Sequence, residues 1–310
     1  MQQLKKFITV LVVLLTIVIF AEYSGGSLLS PAPDQEIPSS AAPQSKDNTG
    51  KLDLLKVHFI DVGQADSTLV EFPNGQIMLI DAGNNGDGDF LVGYLKEAGV
   101  KQIDYLVGTH PHEDHIGGLD TIIYNFKVGK VIMPDKSHTS ETFKDVLTAI
   151  KSKKIPLVKA SAGKTLITTP NLEAMIIAPV KKDYDEINDY SVVIGITYQK
   201  TGFLFQGDAG FLSENDILAQ DFNLKTAVIK VGHHGSYTSS SAKYLAKAKP
   251  RYAVISVGKE NSYDHPHDKA LARLKKTGAK IYRTDLDGTL IFTSNGDSIN
   301  VTRSDQGNPD

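Results

Sequence analysis

Residues 103–119, IDYLVGTHPHEDHIGGL, run from an apolar segment into a loop crowded with imidazoles. Ile103–Val107 alternates weakly and then turns fully apolar, with no breaker before Gly108, as a buried strand does. That strand delivers the next residues to a sheet edge. His110, His112, Asp114 and His115 then fall within six residues, and Pro111, which lacks a backbone donor and fixes φ, predicts a loop too tightly wound for a helix. Gly117-Gly118 is expected to let the backbone turn tightly into the next helix. One or two histidines here would suit an ordinary solvated loop. Three with a carboxylate, at a strand end and closed by two glycines, are the ligands that divalent transition metals take, enough for half of a two-metal site.

The flanking sequence supplies the sheets. Leu54–Asp61, Ser67–Phe72 and Gln76–Asp81 read as strands, the last two joined by a Pro73-Asn74-Gly75 turn. Asp81-Ala82-Gly83 closes the third, Phe90–Ala98 has helical spacing, and Ile103–Thr109 carries the histidine loop. A strand at Val128–Met133, a helix at Glu141–Lys151 and short strands at Thr165–Thr168 and Leu172–Ala178 follow. The plan then repeats. Ser191–Tyr198 and Gly202–Gln206 form a hairpin ending in Gly207-Asp208-Ala209-Gly210, which matches Ile80-Asp81-Ala82-Gly83. A helix at Leu212–Ala219 and a strand at Thr226–Val231 lead to Gly232-His233-His234-Gly235-Ser236, where the first half has Gly108-Thr109-His110-Pro111-His112. A last round of the second half gives helix Ala242–Ala248, strand Tyr252–Val257, loop Gly258–His265, helix Asp268–Thr277, and strands Lys280–Arg283 and Thr289–Thr293. Two such halves predict an α/β fold, an αββα four-layer sandwich whose loops meet at one edge.

Thr109–Gly118 resembles the metal-binding signature THxHxDHxGG of the metallo-β-lactamase-fold hydrolases and matches it at every fixed position. The resemblance implies a sandwich of the metallo-β-lactamase type holding two divalent cations, Zn²⁺ or Mn²⁺. It assigns His110 and His112 to the first, Asp114 and His115 to the second, and Asp208 as the carboxylate bridging them, where the bland alternative is a helix cap. Asp81 is expected to hydrogen-bond and orient the loop. Lactamases have a further histidine between the loop and the bridging Asp; here His138, in the polar connection Asp135–Ser140, is the one candidate and reads as solvated.

Asn188-Asp189-Tyr190-Ser191-Val192-Val193, Asp61-Val62-Gly63-Gln64, the HHGS segment and His265-Pro266 instead resemble the nuclease-like domain of ComEC, the bacterial competence DNA-uptake protein. In that subgroup, and in related choline-phosphate esterases that act on teichoic acid, a histidine after the bridging Asp replaces the missing ligand. His234 is assigned that place, beside His110 and His112, ahead of His233. His233 is left to contact a phosphoryl oxygen or act as an acid, and with Asp114 makes the candidate catalytic pair. His265 is the final ligand of the second metal, ahead of His267. Ala65 stands where the family has the second glycine of G-Q-G-D.

Lys5 and Lys6 precede an apolar run, Phe7–Ala21, that reads as a signal peptide or signal anchor over residues 1–23. Residues 24–50, rich in Pro, Ser, Gly, Ala and Gln, read as a flexible linker, residues 51–303 as the hydrolase domain, and 304–310 as a polar tail. The chain has no cysteine, which excludes a disulfide framework and a lipid-modified cysteine. Residues 1–50 carry three of the 33 basic and four of the 36 acidic side chains, so the chain beyond them has 30 against 32 and no global pull on a polyanion. Lys151–Lys154 and Lys243–Lys249 read as solvated helix faces.

The expected function is an exported dinuclear metal-dependent hydrolase, secreted or tethered to the outer face of the cytoplasmic membrane. Its expected substrate is a phosphodiester, in DNA or a cell-wall polymer, attacked by a water activated between two cations. The amino-terminal segment would touch the membrane at least transiently, and no obligate protein partner is evident. A β-lactam or lactone hydrolase is the alternative enzyme; a surface binding module without chemistry is the alternative class.

Overall fold

The computed structural model describes residues 53–304. The export segment and linker expected over residues 1–50 lie outside that range, as does the tail beyond Ser304. Among the described residues no helix is long and apolar enough to cross a membrane.

The first part of the chain runs β1 (Leu55–Phe59), β2 (Thr68–Glu71), β3 (Ile77–Ile80), α1 (Gly88–Glu97), β4 (Gln102–Val107), α2 (Glu113–Ile116), α3 (Leu119–Asn125), β5 (Lys127–Met133), α4 (Glu141–Lys153) and β6 (Leu157–Lys159). The second runs β7 (Thr165–Thr168), β8 (Leu172–Ala178), β9 (Val193–Tyr198), β10 (Thr201–Phe205), α5 (Phe211–Leu218), β11 (Val228–Lys230), α6 (Ala242–Ala248), β12 (Tyr252–Ile255), α7 (Asp268–Thr277) and β13 (Lys280–Arg283). A short helix, α8 (Thr284–Asp287), then leads to β14 (Thr289–Ser294) and β15 (Ile299–Ser304).

The strands form two mixed sheets, ordered β15-β14-β1-β2-β3-β4-β5-β6 and β13-β12-β11-β10-β9-β8-β7. In each, an antiparallel hairpin (β2–β3, β9–β10) hands over to parallel strands, which is the repeat visible in the sequence. Period-two alternation sorts the side chains into layers. Met78, Ile80, Tyr105 and Val107 meet Phe203, Phe205, Ile194 and Ile196 between the sheets. Leu79, Leu106 and Val131 face outward under α1, α3 and α4, while Leu204, Ile229 and Ala253 face outward under α5, α6 and α7. This is the expected αββα sandwich.

Four local readings are corrected. Thr289–Ser294 does not finish the second sheet; β14 returns to the first and pairs antiparallel with β1, Phe292 beside Val57. Two strands went unread, β6 and β15, and β15 carries regular structure through Ser304, into the expected polar tail. Glu113–Ile116 is a helical turn, closed by Ile116 N–H to the His112 carbonyl at 3.1 Å and Gly117 N–H to Glu113 at 2.7 Å. Pro111 restricts His110 and stops acting there, so the chain is free to coil two residues later. Gly117 and Gly118 have ordinary φ values of −56° and −88°, so a tight turn is not why they are glycine. A Cβ on Gly117 would lie 2.1 Å from the Asn84 carbonyl carbon, and one on Gly118 2.5 Å from the Ala82 oxygen. Their bareness lets the histidine loop press against the Asp81–Asn84 backbone.

Phe292 joins the sheets. Its ring lies edge-on to Phe59 at 5.5 Å in the first sheet, and to Tyr252 at 5.6 Å and Tyr282 at 5.8 Å in the second. Phe292→Ala should lower unfolding free energy by about 3–5 kcal/mol, read by denaturant titration. A loss below about 1 kcal/mol would show that this ring cluster does not couple the two sheets.

Candidate metal centre

Ends of parallel strands from both sheets converge on one edge. β3 ends just before Asp81, β4 feeds Thr109–His115, β10 ends just before Asp208, and β11 ends just before His233 and His234. Asp81, at φ +59°, is the pivot of the first loop. Its carboxylate accepts Thr109 N–H and Oγ1–H, both at 2.8 Å, and His115 Nδ1–H at 2.8 Å. That bond fixes the tautomer of His115 and turns Nε2 toward the centre.

Six of the expected residues meet there. His110 Nε2 is 3.0 Å from His112 Nδ1 and 4.0 Å from Asp208 Oδ2. His115 Nε2 is 3.3 Å from Asp208 Oδ1 and 3.7 Å from Asp114 Oδ2. His234 Nε2 is 3.2 Å from Asp114 Oδ2 and 3.7 Å from Asp208 Oδ2. Asp208 is thus common to all sides. It does not cap α5; Asp189 does, accepting Gly210 N–H at 3.0 Å and Ser213 N–H at 3.2 Å. Ser191 is a positioning residue, its Oγ accepting Asp208 N–H at 3.0 Å and lying 3.4 Å from His110 Nδ1.

The assignment of the adjacent histidines changes. His234 was expected beside His110 and His112, yet it groups with Asp114 and His115. Its Nδ1–H donates to the Ser256 carbonyl at 3.0 Å, which aims Nε2 at Asp114. His233 faces Asp208 Oδ2 at 3.6 Å from the cavity side, with Asn188 Nδ2 3.3 Å from its Nε2. Both residues have φ near +50°, a strained backbone that leaves His233 part-exposed and His234 buried while both face Asp208 Oδ2.

His265 does not join the buried cluster. It is half-buried on the cavity wall, its ring stacked 6.1 Å from that of His234, with Gln64 Nε2 3.5 Å from Nδ1. His267 is farther from the centre, its Nδ1 accepting Tyr237 N–H at 3.2 Å. His138 stands edge-on to His112 at 6.2 Å but is turned to Ser140 Oγ at 2.9 Å. Ala65 is buried and has no positive φ, so the position does not need a glycine.

Charge in this pocket is tightly balanced. Burial alone would lower His115, but Asp208, Asp114 and Asp81 hold it well above the ordinary imidazole value. His234 is raised likewise by Asp208 and Asp66 against its burial. Burial alone would raise Asp208, but His115, His234 and His233 hold it well below the usual carboxylate range. Burial, with His115 alongside, pushes His110 well down. Burial lowers His233 as well, despite Asp208. His265 is brought down to about 4 by burial and by His234 and His233.

Two charged residues behind the centre went unread. Lys230, buried at the end of β11, donates to Asp66, which lies 3.4 Å from His234 Nδ1 and 3.7 Å from His115 Nδ1. Glu214 in α5 accepts Ser241 N–H at 2.8 Å and Gln206 Nε2–H at 3.0 Å, holding the segment that follows the paired histidines. A lone Lys inside Thr226–Val231, just before two histidines, was the available signal for the first. Glu214 reads as an ordinary helix-face charge and gave none.

Asp66 Oδ1, His115 Nε2, Asp208 Oδ1 and His234 Nε2 are all buried without a hydrogen-bond partner. Buried polar atoms are normally satisfied, and leaving several converging ones bare is costly. Three of them, His115 Nε2, Asp208 Oδ1 and His234 Nε2, point into the shared centre, so the donor set fits cations. By geometry Asp114, His115, His234 and Asp208 would hold one, and His110, His112 and Asp208 the other, with His233 the nearest further imidazole. A cavity of about 580 Å³ opens over them, lined in part by His112, Asp114, Asp208, His233 and His265.

The sequence matches the metallo-beta-lactamase superfamily over residues 60–259, and the chain belongs to that superfamily. It is 30% identical over 256 residues to ComE operon protein 3 of Bacillus subtilis, covering 76% of this chain and 33% of that protein. Recombination protein 2 of Haemophilus influenzae is 29% identical over 203 residues, 64% of this chain and 24% of that protein. The chain therefore spans about a third or less of these relatives. Igni18, a metallo hydrolase from Ignicoccus hospitalis, shares the fold at a TM-score of 0.50 and 18% identity, over 76% of this chain and 98% of that one.

Calorimetric metal titration of the metal-free chain should show two equivalents and a net proton release, because the surrounding carboxylates hold His115 well above the ordinary imidazole value and its proton must leave. Affinity should rise with pH as protons cease to compete. His234→Ala should keep one equivalent; adding Asp114→Asn should cost nothing further, whereas adding His110→Ala should remove the second. Heats independent of the buffer's ionisation, or the reverse double-variant pattern, would contradict these assignments.

Proposed function

We propose that this chain is a dinuclear metal-dependent hydrolase that cleaves a phosphodiester. The observation that carries this reading is Asp208, a buried carboxylate whose Oδ1 faces His115 and whose Oδ2 faces His110, His233 and His234. One anionic side chain is thereby common to both ligand sets. Two bound cations, Zn²⁺ or Mn²⁺, supply an activated water and neutralise the charge that develops on phosphorus oxygens.

The chain's own groups do the rest. Asp81 and Asp66 hold the imidazoles from behind, so that their inward nitrogens stay fixed during reaction. His233, neutral because burial lowers it, stands at the cavity wall beside Asn188 and is suited to hydrogen-bond a phosphoryl oxygen. Asp114, whose carboxylate is part-exposed to the same cavity, can orient the attacking water. Ser67 and Ser191 are fully buried, so neither is placed as a nucleophile. A relative named for recombination favours nucleic acid as the polymer over a wall polymer.

Turnover by the metal-loaded chain on bis(p-nitrophenyl) phosphate, single-stranded DNA, teichoic acid and nitrocefin should separate the classes. Hydrolysis of phosphodiesters without nitrocefin is the expected result, and His233→Ala should slow it about 10²–10⁴-fold. Cleavage of nitrocefin alone would make the enzyme a β-lactam hydrolase.

The work site is proposed to be outside the cytoplasmic membrane, on the strength of Lys5, Lys6 and the apolar run Phe7–Ala21. Protease added to intact cells should digest the domain. Protection until lysis would put it in the cytoplasm.

A further inference from the structure

One side of the metal cavity is built by a loop with no evident packing role. Between Gly258 and His265 the side chain of Asn261 donates to the Gly258 carbonyl at 2.9 Å and the His265 carbonyl at 2.7 Å. Its oxygen accepts Tyr263 N–H at 3.2 Å and His265 N–H at 3.0 Å. Glu260 and Asp264 sit at φ +51° and +57°, a strained backbone held in place by these bonds. Gln64, reaching from the other sheet, accepts Gly258 N–H at 3.0 Å and anchors the loop to the first half.

What this scaffold presents is a ring. Tyr263 is 63% exposed, although an aromatic of that size ordinarily gains by burial. Its ring stacks on His265 at 5.7 Å and 21°, and His265 stacks on His234 at 6.1 Å and 22°. Three near-parallel rings therefore step from solvent to the buried centre. Among the described residues, Tyr263 meets no aromatic ring besides His265, and most of its surface is open to solvent.

The cavity's charge says what that face receives. Its remaining wall is Gln64, Asn84, Asn188, Asn261 and Ser262, with Glu113, and neither lysine nor arginine lines it. Neighbouring phosphates would find no cation there beyond the centre itself. A neutral flat group would find a flat partner and amides.

We infer that Tyr263 is a stacking platform for a planar, uncharged ring carried by one arm of the phosphodiester, as a nucleobase is. The inference rests on the phosphodiesterase reading above and adds the group that is recognised beside the scissile bond. Stacking of this kind tolerates different rings, since each offers a π-face.

The test compares two esters with the same leaving group on the metal-loaded full chain: thymidine 5′-(p-nitrophenyl phosphate) and methyl p-nitrophenyl phosphate. Wild type should prefer the first in kcat/KM. Tyr263→Ala should cut that preference about tenfold, chiefly through KM, and Tyr263→Phe should keep it. Binding of a dinucleotide containing 2-aminopurine gives a second reading, with fluorescence quenched by wild type and Tyr263→Phe and spared by Tyr263→Ala. A preference unchanged in Tyr263→Ala, with turnover intact, overturns the platform and leaves the phosphodiesterase reading standing. Quenching that depends on the ring while neither ester is cleaved keeps the platform and removes that reading. Quenching unaffected by Tyr263→Ala overturns the platform.

Discussion

Water is kept from three carboxylates, three imidazoles and an ammonium packed at one end of the sandwich, and the rest of the structure answers to that constraint. Asp66, Asp81, Asp208, His110, His115, His234 and Lys230 are each at most 3% exposed. No such set survives burial unless every charge has an opposite within reach. The residues are accordingly interleaved, with Asp81 and Asp66 behind His115, Asp208 ahead of it, and Lys230 closing the rear. Rigidity follows from the same need, because no member can rotate away without stranding a neighbour.

The two sheets share the work unequally. The first contributes a compact loop whose geometry is local, dictated by Asp81 and by the bare glycines that let backbone lie on backbone. The second contributes single residues fixed by groups distant in sequence, Asp208 by Ser191, His233 by Asn188 and His234 by the Ser256 carbonyl. The Asp61–Asp66 segment connects them. Gln64 reaches the Gly258 loop, while Asp66 N–H donates to the Asp114 carbonyl at 3.0 Å and its carboxylate takes Lys230.

This division explains what the sequence could disclose. The sandwich was legible because the continuous apolar runs Ile77–Ile80 and Phe203–Phe205 mark strands buried on both faces without reference to any partner. The first loop was legible because its candidate ligands fall within six residues. Pairing was harder: Thr289–Ser294 announces a strand but not which sheet has an open edge, and Phe292 finds Phe59 only in three dimensions. His234 lies on the Asp114–His115 side rather than beside His110 and His112, because adjacent left-handed residues remove the alternation from which side-chain direction is inferred. Lys230 and Glu214 act on groups far away in sequence; a lone lysine in an apolar strand hints at the first, and nothing local reports the second.

The return of β14 to the first sheet also sets a timetable. Asp61 N–H is held by Thr289 Oγ1 at 2.9 Å, across 228 residues of chain. Until that far segment arrives, β1 has an unpaired edge and the loop carrying Gln64 and Asp66 lacks its anchor. Contacts so distant close late, since loop entropy must be overcome before they reward the chain. The centre therefore depends on one of the most distant contacts in the chain. A chain interrupted anywhere before β14 would display an open strand edge, prone to pairing with another molecule, in place of a working site.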